Sequence, residues 1–318
     1  MSELLSIYRH ALTARLIDER LEVLARGGRI GLHPDSQHAE VVIVAATLAL
    51  GEGDWVFPTA RDHAAAFARG VPVATYLAHV IGSASDPLSG HAAPGCFCSR
   101  EKKIAPPTGQ LSQHLTQAMG LAWAARLRRD GACVLALLPE TAADAGDFHS
   151  ALNFAGATKA PIVFLVRTDG SEAPAPDVEV ADKGIAYGVA AVDVAGDPET
   201  VLFAVREASE RARRGEGPTL LEARISVAPS LGAGGSAPGP GDPLEKLRRK
   251  LIDDGAFDES ADWHHRREVM GEIEAAIVAA IDAGPPSPDA IFDHVFAELA
   301  PHLSRQREQL RKVHEAPR

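Results

Sequence analysis

The sequence is poor in cysteine and in aromatic residues, and it lacks a surplus of positive charge. Three cysteines in 318 residues are too few for a disulfide-rich scaffold and are typical of a reducing compartment. Acidic residues outnumber Lys and Arg by 43 to 32, which gives a formal charge of −11. A general nucleic-acid binder needs a basic surface that neutralises phosphates. The composition therefore argues against nucleic acid as a partner.

Long apolar segments and a secretion signal are also missing. The longest apolar run, 41–50, is about half as long as a membrane span. The first residues lack the basic start and apolar stretch of a signal peptide. We therefore expect a cytoplasmic protein without a membrane anchor. The sequence also has no Walker loop, no Gly-x-Gly-x-x-Gly and no Gly-x-Ser-x-Gly motif.

The central third of the chain alternates short apolar runs with helical patterns. Runs at 133–138, 161–166, 189–194 and 219–225 are typical of strands that are buried on both faces. This alternation predicts an α/β fold with a parallel sheet flanked by helices. Helices are predicted at 2–26, 39–50, 62–69, 73–81, 111–129, 143–157, 178–187 and 198–214.

Composition divides the chain into three parts. Residues 226–243 are nearly all small residues, glycine and proline, and such a segment cannot bury a core. We interpret it as a linker between a domain at 1–225 and a C-terminal helical extension at 244–318. Within that extension the pattern predicts helices at 244–253, 258–282 and 288–314.

Charged side chains follow two of the predicted strands. Glu140 comes directly after the run 133–138, while Arg167 and Asp169 follow the run 161–166. Ligands bind outside the carboxyl ends of parallel strands, so neighbouring strands would place both acids in one crevice. Two carboxylates with a backbone carbonyl suit magnesium, and a guanidinium beside them suits a phosphate. The residues therefore favour a magnesium-bridged diphosphate, the alternative being acids that cap helices or face solvent.

The remaining metal-capable and cationic residues give weaker signals. Cys96 and Cys98 form a single Cys-x-Cys pair, which lacks the second pair that structural zinc sites use. Histidines on helical patterns, His63 among them, are interpreted as packed or solvated imidazoles. Arg61, which precedes a predicted helix, is by itself interpreted as a surface or ion-paired arginine.

Five short motifs resemble a known family when they are taken in order. They lie at 26–31, 54–63, 146–156, 159–161 and 214–223, and read RGGRIG, DWVFPTARDH, GDFHSALNFAG, KAP and RGEGPTLLEA. Together they resemble the alpha subunit of the decarboxylase component of 2-oxo acid dehydrogenase complexes. The tail after Asp242 is most similar to the branched-chain type, and the resemblance extends over about residues 6–315.

The resemblance implies a thiamine-diphosphate-binding fold over 1–225. It also implies thiamine diphosphate and magnesium as cofactors, a small 2-oxo acid as substrate and a beta subunit as partner in an α2β2 assembly. In this family the alpha chain mainly grips the diphosphate, and the beta chain supplies the glutamate that activates the cofactor. The product passes to a lipoyl group on an acyltransferase core.

The family's site residues can be carried over position by position. The metal ligands that the resemblance implies are Glu140, Asp169 and the carbonyl group of Ser171. The further cofactor contacts that it implies are Arg61, Leu111, Thr141 and Arg167.

Several family positions carry other residues in this sequence. Pro139 and Thr141 replace the glycines on either side of the metal-binding acid, and a proline has no N–H to donate. The tyrosine of the family's phosphate-binding pair is Ala60, and a family histidine falls on Cys96. The catalytic-loop histidine should lie near 227–236, where the sequence has no histidine.

These departures leave three functions open. The first is a working alpha subunit for oxidative decarboxylation, with protons supplied by the beta chain, by water, or by His91, Cys96 or His114. The second is a catalytically disabled structural or regulatory subunit that keeps the fold and the partner surface. The third is a pocket that binds another phosphorylated ligand.

Overall fold

A five-stranded parallel sheet forms the centre of the molecule. The computed structural model describes residues 3–31, 33–36, 38–169, 180–225, 241–293 and 295–315. The strands are β1 (Trp55–Phe57), β2 (Val134–Pro139), β3 (Ile162–Asp169), β4 (Ala190–Ala195) and β5 (Thr219–Ile225). They lie in the order β1-β2-β3-β5-β4, and all pairs are parallel. The predicted α/β fold is therefore confirmed.

Helices account for most of the remaining described residues. They are α1 (Glu3–Arg26), α2 (Glu40–Leu48), α3 (Ala64–Ala68), α4 (Val73–Ile81), α5 (Gln113–Arg128), α6 (Gly146–Thr158), α7 (Val180–Ile185), α8 (Pro198–Arg213), α9 (Pro243–Asp253), α10 (Glu259–Asp282) and α11 (Pro301–Glu315). Short 3-10 turns lie at Glu140–Asp144 and Pro288–Ile291. In the described parts of the chain, no helix combines the length and the apolar character that crossing a membrane requires.

The sheet separates two hydrophobic cores. Leu135 and Leu137 of β2 belong to a core that includes residues of α1, α2, α4 and α8. Val134 and Leu138 belong to the opposite core, which includes residues of α5 and α6. Successive side chains of a strand point to opposite faces, so a strand between two cores must be apolar at every position. This is why β2 appears in the sequence as an unbroken apolar run.

Two predicted elements differ from the structure. Strand β1 was not predicted, because three residues are too few to show a pattern; it pairs with β2 and lies at the edge of the sheet. The helix predicted at 288–314 is instead a 3-10 turn followed by α11, which begins at Pro301. A proline fits the first turn of a helix but disrupts its interior.

The predicted linker falls mainly outside the described residues, since 226–240 are not described. Its last residues belong to the helical extension, because Asp242 is the buried N-cap of α9 and accepts from the Leu244 N–H at 2.8 Å. Arg15 of α1 donates to the same carboxylate at 2.8 Å. This ion pair fastens the helical extension to α1. The division into domains at 225 and 244 stays a prediction.

A second buried acid competes for Arg15. Glu40 of α2 forms an ion pair with this guanidinium and is fully buried. Burial raises the pKa of Glu40 to about 7, and the opposing attraction of Arg15 does not cancel that effect. The folded protein therefore keeps a proton on Glu40 at pH values where the unfolded chain has released it.

This difference predicts a pH-dependent effect of Glu40→Gln. Between pH 4.5 and 7 the folded wild type binds more protons at this site than the unfolded chain, so this contribution to stability declines as pH rises. The glutamine variant has no such decline. We expect the stability difference to shift in favour of the variant by up to about 3 kcal/mol between pH 4.5 and 7. Urea unfolding across this range measures it, and a difference that does not change with pH would contradict it; Glu199→Gln, on the surface, is the control.

A close helix contact predicts the effect of a single methyl group. A Cβ atom on Gly156 of α6 would collide with the backbone carbonyl oxygen of Tyr187, whereas one on Gly120 of α5 would meet nothing within 4 Å. We expect Gly156→Ala to lower the free energy of unfolding by about 1–3 kcal/mol, because backbone must move. Gly120→Ala is the control and should be stabilising by about 0.5–1 kcal/mol, as alanine favours helix. Urea unfolding of both variants measures the contrast, and equal effects would refute the contact.

Candidate active site

The carboxyl ends of β2 and β3 meet at one edge of the sheet, as the sequence predicts. The two strands are neighbours, and Pro139 at the end of β2 lies opposite Arg167 of β3. Glu140 follows β2 directly and begins the 3-10 turn Glu140–Asp144. Pro139 has φ −78° and ψ 161°, an extended conformation that proline adopts readily. The turn therefore forms without a glycine at this position.

Arg167 is a buried cation in this crevice. Its Nη1 donates to Oδ1 of Asp62, which is fully buried in the turn before α3. Burial lowers the pKa of Arg167 to about 10, and the charge of Arg61 lowers it further. Oδ2 of Asp62 accepts hydrogen bonds from the N–H and the hydroxyl of Thr59, both at 2.7 Å. Asp62 is thus fixed in place as the counter-charge of Arg167.

Arg61 supplies a second guanidinium, at the surface. About two thirds of its side chain is exposed, since the relative accessibility is 66%. Its Nη1 donates to the Asp35 carbonyl oxygen at 3.3 Å and lies 3.6 Å from the Asp35 carboxylate. Arg61 and Arg167 repel each other electrostatically. An anion that contacts both would relieve this repulsion, as a diphosphate can.

The other predicted site residues are placed unevenly. Glu140 is half-buried, Thr141 is exposed, and Leu111 is 55% exposed two residues before α5. Asp169 ends β3, but its side chain lies outside the description, as does Ser171. A cation shared by Glu140, Asp169 and Ser171 therefore stays a prediction.

Glu222 is a structural residue of this edge that the sequence did not reveal. It lies inside β5, where its Oε1 accepts from the Thr168 hydroxyl at 3.0 Å and its Oε2 accepts from the Ala181 N–H at 2.8 Å. It therefore ties the end of β3 to the start of α7. The available signal was an acid within the otherwise apolar run 219–225, since such a buried group needs partners.

The proposed substitute proton donors differ in their surroundings. His114 is buried, and its Nε2 donates to the Leu137 carbonyl oxygen at 2.8 Å. Burial also lowers the pKa of His114, so the ring is held neutral in a structural role. Burial raises the pKa of Cys96, which keeps it a thiol. His91 is exposed.

The sequence gave no sign of a buried cluster beside Arg61 and Asp62. Asp18, His33 and His63 bring their ligand atoms within 4.8 Å of one another. His63 was interpreted as a packed or solvated imidazole, and the other two residues were not singled out. They come from three separate segments, and a single sequence carries no signal that joins positions 18, 33 and 63.

The family model of the dehydrogenase E1 component matches residues 8–225, which is more than half of the chain. The chain belongs to the dehydrogenase E1 component family. The matched segment contains β1 to β5 and all described residues of the crevice. This confirms the family that the ordered motifs predicted.

Relatives of this E1 chain align along nearly all of it. It is 32% identical to 2-oxoisovalerate dehydrogenase subunit alpha of Bacillus subtilis, over 93% of this chain and 96% of that protein. The protein of the same name from Pseudomonas aeruginosa is 29% identical, over 97% and 81%. The 3-methyl-2-oxobutanoate dehydrogenase subunit alpha of Mycobacterium tuberculosis is 30% identical, over 96% and 86%. A solved structure, benzoylformate decarboxylase from Polynucleobacter necessarius, matches 58% of this chain and 32% of its own, with 13% identity and a TM-score of 0.38.

The ion pair in the crevice of this E1 chain predicts the effect of Asp62→Asn. Removing one partner of a buried pair leaves the other charge without compensation, which costs about 3–5 kcal/mol. We expect a loss of stability in that range, measured by urea unfolding of the chain without cofactor. Asp35→Asn is the control, because its exposed pair with Arg61 should contribute less than about 1 kcal/mol. Equal stability of the two variants would show that Asp62 does not neutralise Arg167.

Proposed function

We propose that this chain is the alpha subunit of an E1 component that decarboxylates a 2-oxo acid with thiamine diphosphate, together with a beta subunit. The observation that carries the proposal is the buried guanidinium of Arg167 at the carboxyl end of β3, with Arg61 beside it. Two arginines at such an edge suit a diphosphate. Family membership and the alignment along relatives named as dehydrogenase alpha subunits support the same function.

The chain's part in the reaction is to hold the cofactor. Arg61 and Arg167 bind the diphosphate oxygens, while Glu140 with Asp169 and the Ser171 carbonyl hold magnesium. These are hard oxygen ligands, which suit this ion. Leu111 and Thr141 contact the cofactor from the starts of α5 and of the 3-10 turn.

When bound, thiamine diphosphate supplies the electron sink for decarboxylation. The residues of this chain orient it and balance its charge. Because the His114 N–H is already donated to a backbone carbonyl, protons for the reaction come from the beta subunit or from water. This division gives the alpha chain binding and the beta chain chemistry.

The substrate is a branched-chain 2-oxo acid, and the product passes to a lipoyl group on an acyltransferase core. The support for this is the set of relatives named for 2-oxoisovalerate and 3-methyl-2-oxobutanoate. We further propose that alpha and beta chains assemble as α2β2. A cytoplasmic location stays a prediction.

The decisive experiment measures binding and turnover on the assembled alpha–beta complex. Calorimetry with thiamine diphosphate and magnesium should detect binding, and 3-methyl-2-oxobutanoate should be decarboxylated faster than pyruvate. Loss of one charge-assisted contact weakens binding by about 1.5–3 kcal/mol. We therefore expect Glu140→Gln and Arg61→Gln each to raise the Kd for the cofactor by about tenfold to a hundredfold.

The control lies in the same turn as Glu140. Asp144 is an exposed acid that pairs with Lys183, so Asp144→Asn should leave binding and turnover unchanged. A wild-type complex that binds no thiamine diphosphate would remove the proposal. Binding without turnover would mean that the chain is the catalytically disabled subunit instead.

A further inference from the structure

Three side chains of opposite chemical character converge at one buried point. His33 Nε2 lies 2.5 Å from Asp18 Oδ1, and His63 Nε2 lies 3.1 Å from the same oxygen. All three side chains are 1–3% exposed. Two imidazoles and one carboxylate form a ligand set that binds divalent transition metals. Among the residues that the structure describes, they are the group of this kind whose ligand atoms come together.

The surroundings hold these ligands in orientation. Oδ2 of Asp18 accepts from the Ser36 N–H at 3.0 Å and from the Ser36 hydroxyl at 2.8 Å, which leaves Oδ1 directed at the two imidazoles. The His63 ring stacks on Tyr76 with centroids 5.5 Å apart and an interplanar angle of 22°. Metal sites commonly fix their ligands through such outer hydrogen bonds and packing.

The tautomers of the two histidines are not set by other contacts. Nδ1 of His33 and Nδ1 of His63 are buried and have no hydrogen-bond partner within the described segments. The partner of one ring nitrogen normally decides which nitrogen carries the proton. Both rings are therefore open to the tautomer whose Nε2 lone pair faces Asp18 Oδ1. Two lone pairs and an anion that converge in this way need a positive charge between them.

The buried charges around the cluster also leave a deficit of positive charge. Asp18, Glu40 and Asp242 are buried acids, and Asp18 and Glu40 repel each other electrostatically. Arg15 is the buried arginine that pairs with Glu40 and Asp242. With neutral imidazoles, three carboxylates against one guanidinium leave two negative charges, and uncompensated buried charge is costly. A divalent cation would balance this deficit.

We propose that Asp18, His33 and His63 form a structural site for a divalent transition metal of the zinc class. Bonds of about 2.0–2.2 Å place ligand atoms about 3 Å apart, so the His63 spacing already fits and His33 must move by a few tenths of an ångström. Ser36 Oγ, 3.4 Å from His63 Nε2, is close enough to complete the coordination. The burial of every ligand suits a closed structural site rather than a catalytic one.

The site would fix the position of the candidate cofactor contacts. His63 follows Arg61 and Asp62 directly in the chain, and Ser36 follows Asp35, the partner of Arg61. A metal ion would join both segments to α1 through Asp18. The inference does not depend on the bound cofactor, because its ligands and its readout are separate from those of the diphosphate crevice.

Metal binding to the full-length chain tests the site. The chain is stripped with a chelator and then titrated with zinc chloride at pH 8 in excess magnesium, which occupies hard oxygen sites. We expect one zinc ion per chain by elemental analysis, and a zinc-dependent rise in Tm. Asp18→Asn and His33→Gln should weaken binding by at least about a hundredfold, and Ser36→Ala by about tenfold, as for an outer-shell partner.

A matched control lies in another buried His–Asp pair. His79 is as buried as His63 and lies 3.2 Å from Asp86 through Nδ1, so His79→Gln should bind zinc like the wild type. Cobalt(II) provides a readout that needs no variant at the site: nitrogen and oxygen ligands give visible d–d bands without thiolate charge transfer. The Cys96→Ser/Cys98→Ser double variant should leave these bands unchanged.

The opposite results are equally clear. A wild-type chain that binds no stoichiometric zinc at pH 8 would show that protons alone balance the cluster. Thiolate charge-transfer bands, or bands lost in the double cysteine variant, would place the ion elsewhere. If Asp18→Asn and His33→Gln do not fold, the cobalt spectra of the wild type and the cysteine variant decide the question by themselves.

Discussion

A buried guanidinium at the end of a central strand needs a negative partner, and this requirement links the fold to the site. Arg167 lies on β3, while its partner Asp62 lies in the turn before α3. Leaving such a cation unpaired would cost several kcal/mol. In the chain alone Asp62 meets the requirement; with a diphosphate present, Arg167 and Arg61 have a second source of negative charge. The same pair therefore stabilises the fold and prepares the crevice for an anion.

The turn that carries Asp62 is held from both sides. Thr59 donates twice to the Asp62 carboxylate, and His63 lies against Asp18 of α1. Arg61, between these fixed residues, keeps an exposed side chain near Asp35. A rigid backbone with one free guanidinium is a suitable arrangement for ligand capture, because little order must be imposed on binding.

Sequence patterns predict the sheet better than they predict the polar clusters. Strands β2 and β3 were predictable because burial on both faces makes their sequences continuously apolar, and their adjacency placed Glu140 and Arg167 at one edge. Strand β1 is too short to show a pattern. The Asp18 cluster and the clamp at Glu222 depend on contacts between distant segments, which residue spacing does not encode.

The departures from the family pattern weaken backbone contacts more than they weaken charge. Pro139 removes one N–H donor, and Ala60 removes one hydroxyl. Hydrogen bonds with an ionised partner are roughly twice as strong as neutral ones, and the charged residues Arg61, Glu140 and Arg167 are all retained. Pro139 also takes its extended conformation without strain. The features that contribute most to holding a magnesium diphosphate therefore persist, and the replaced glycines alone do not make the site inactive.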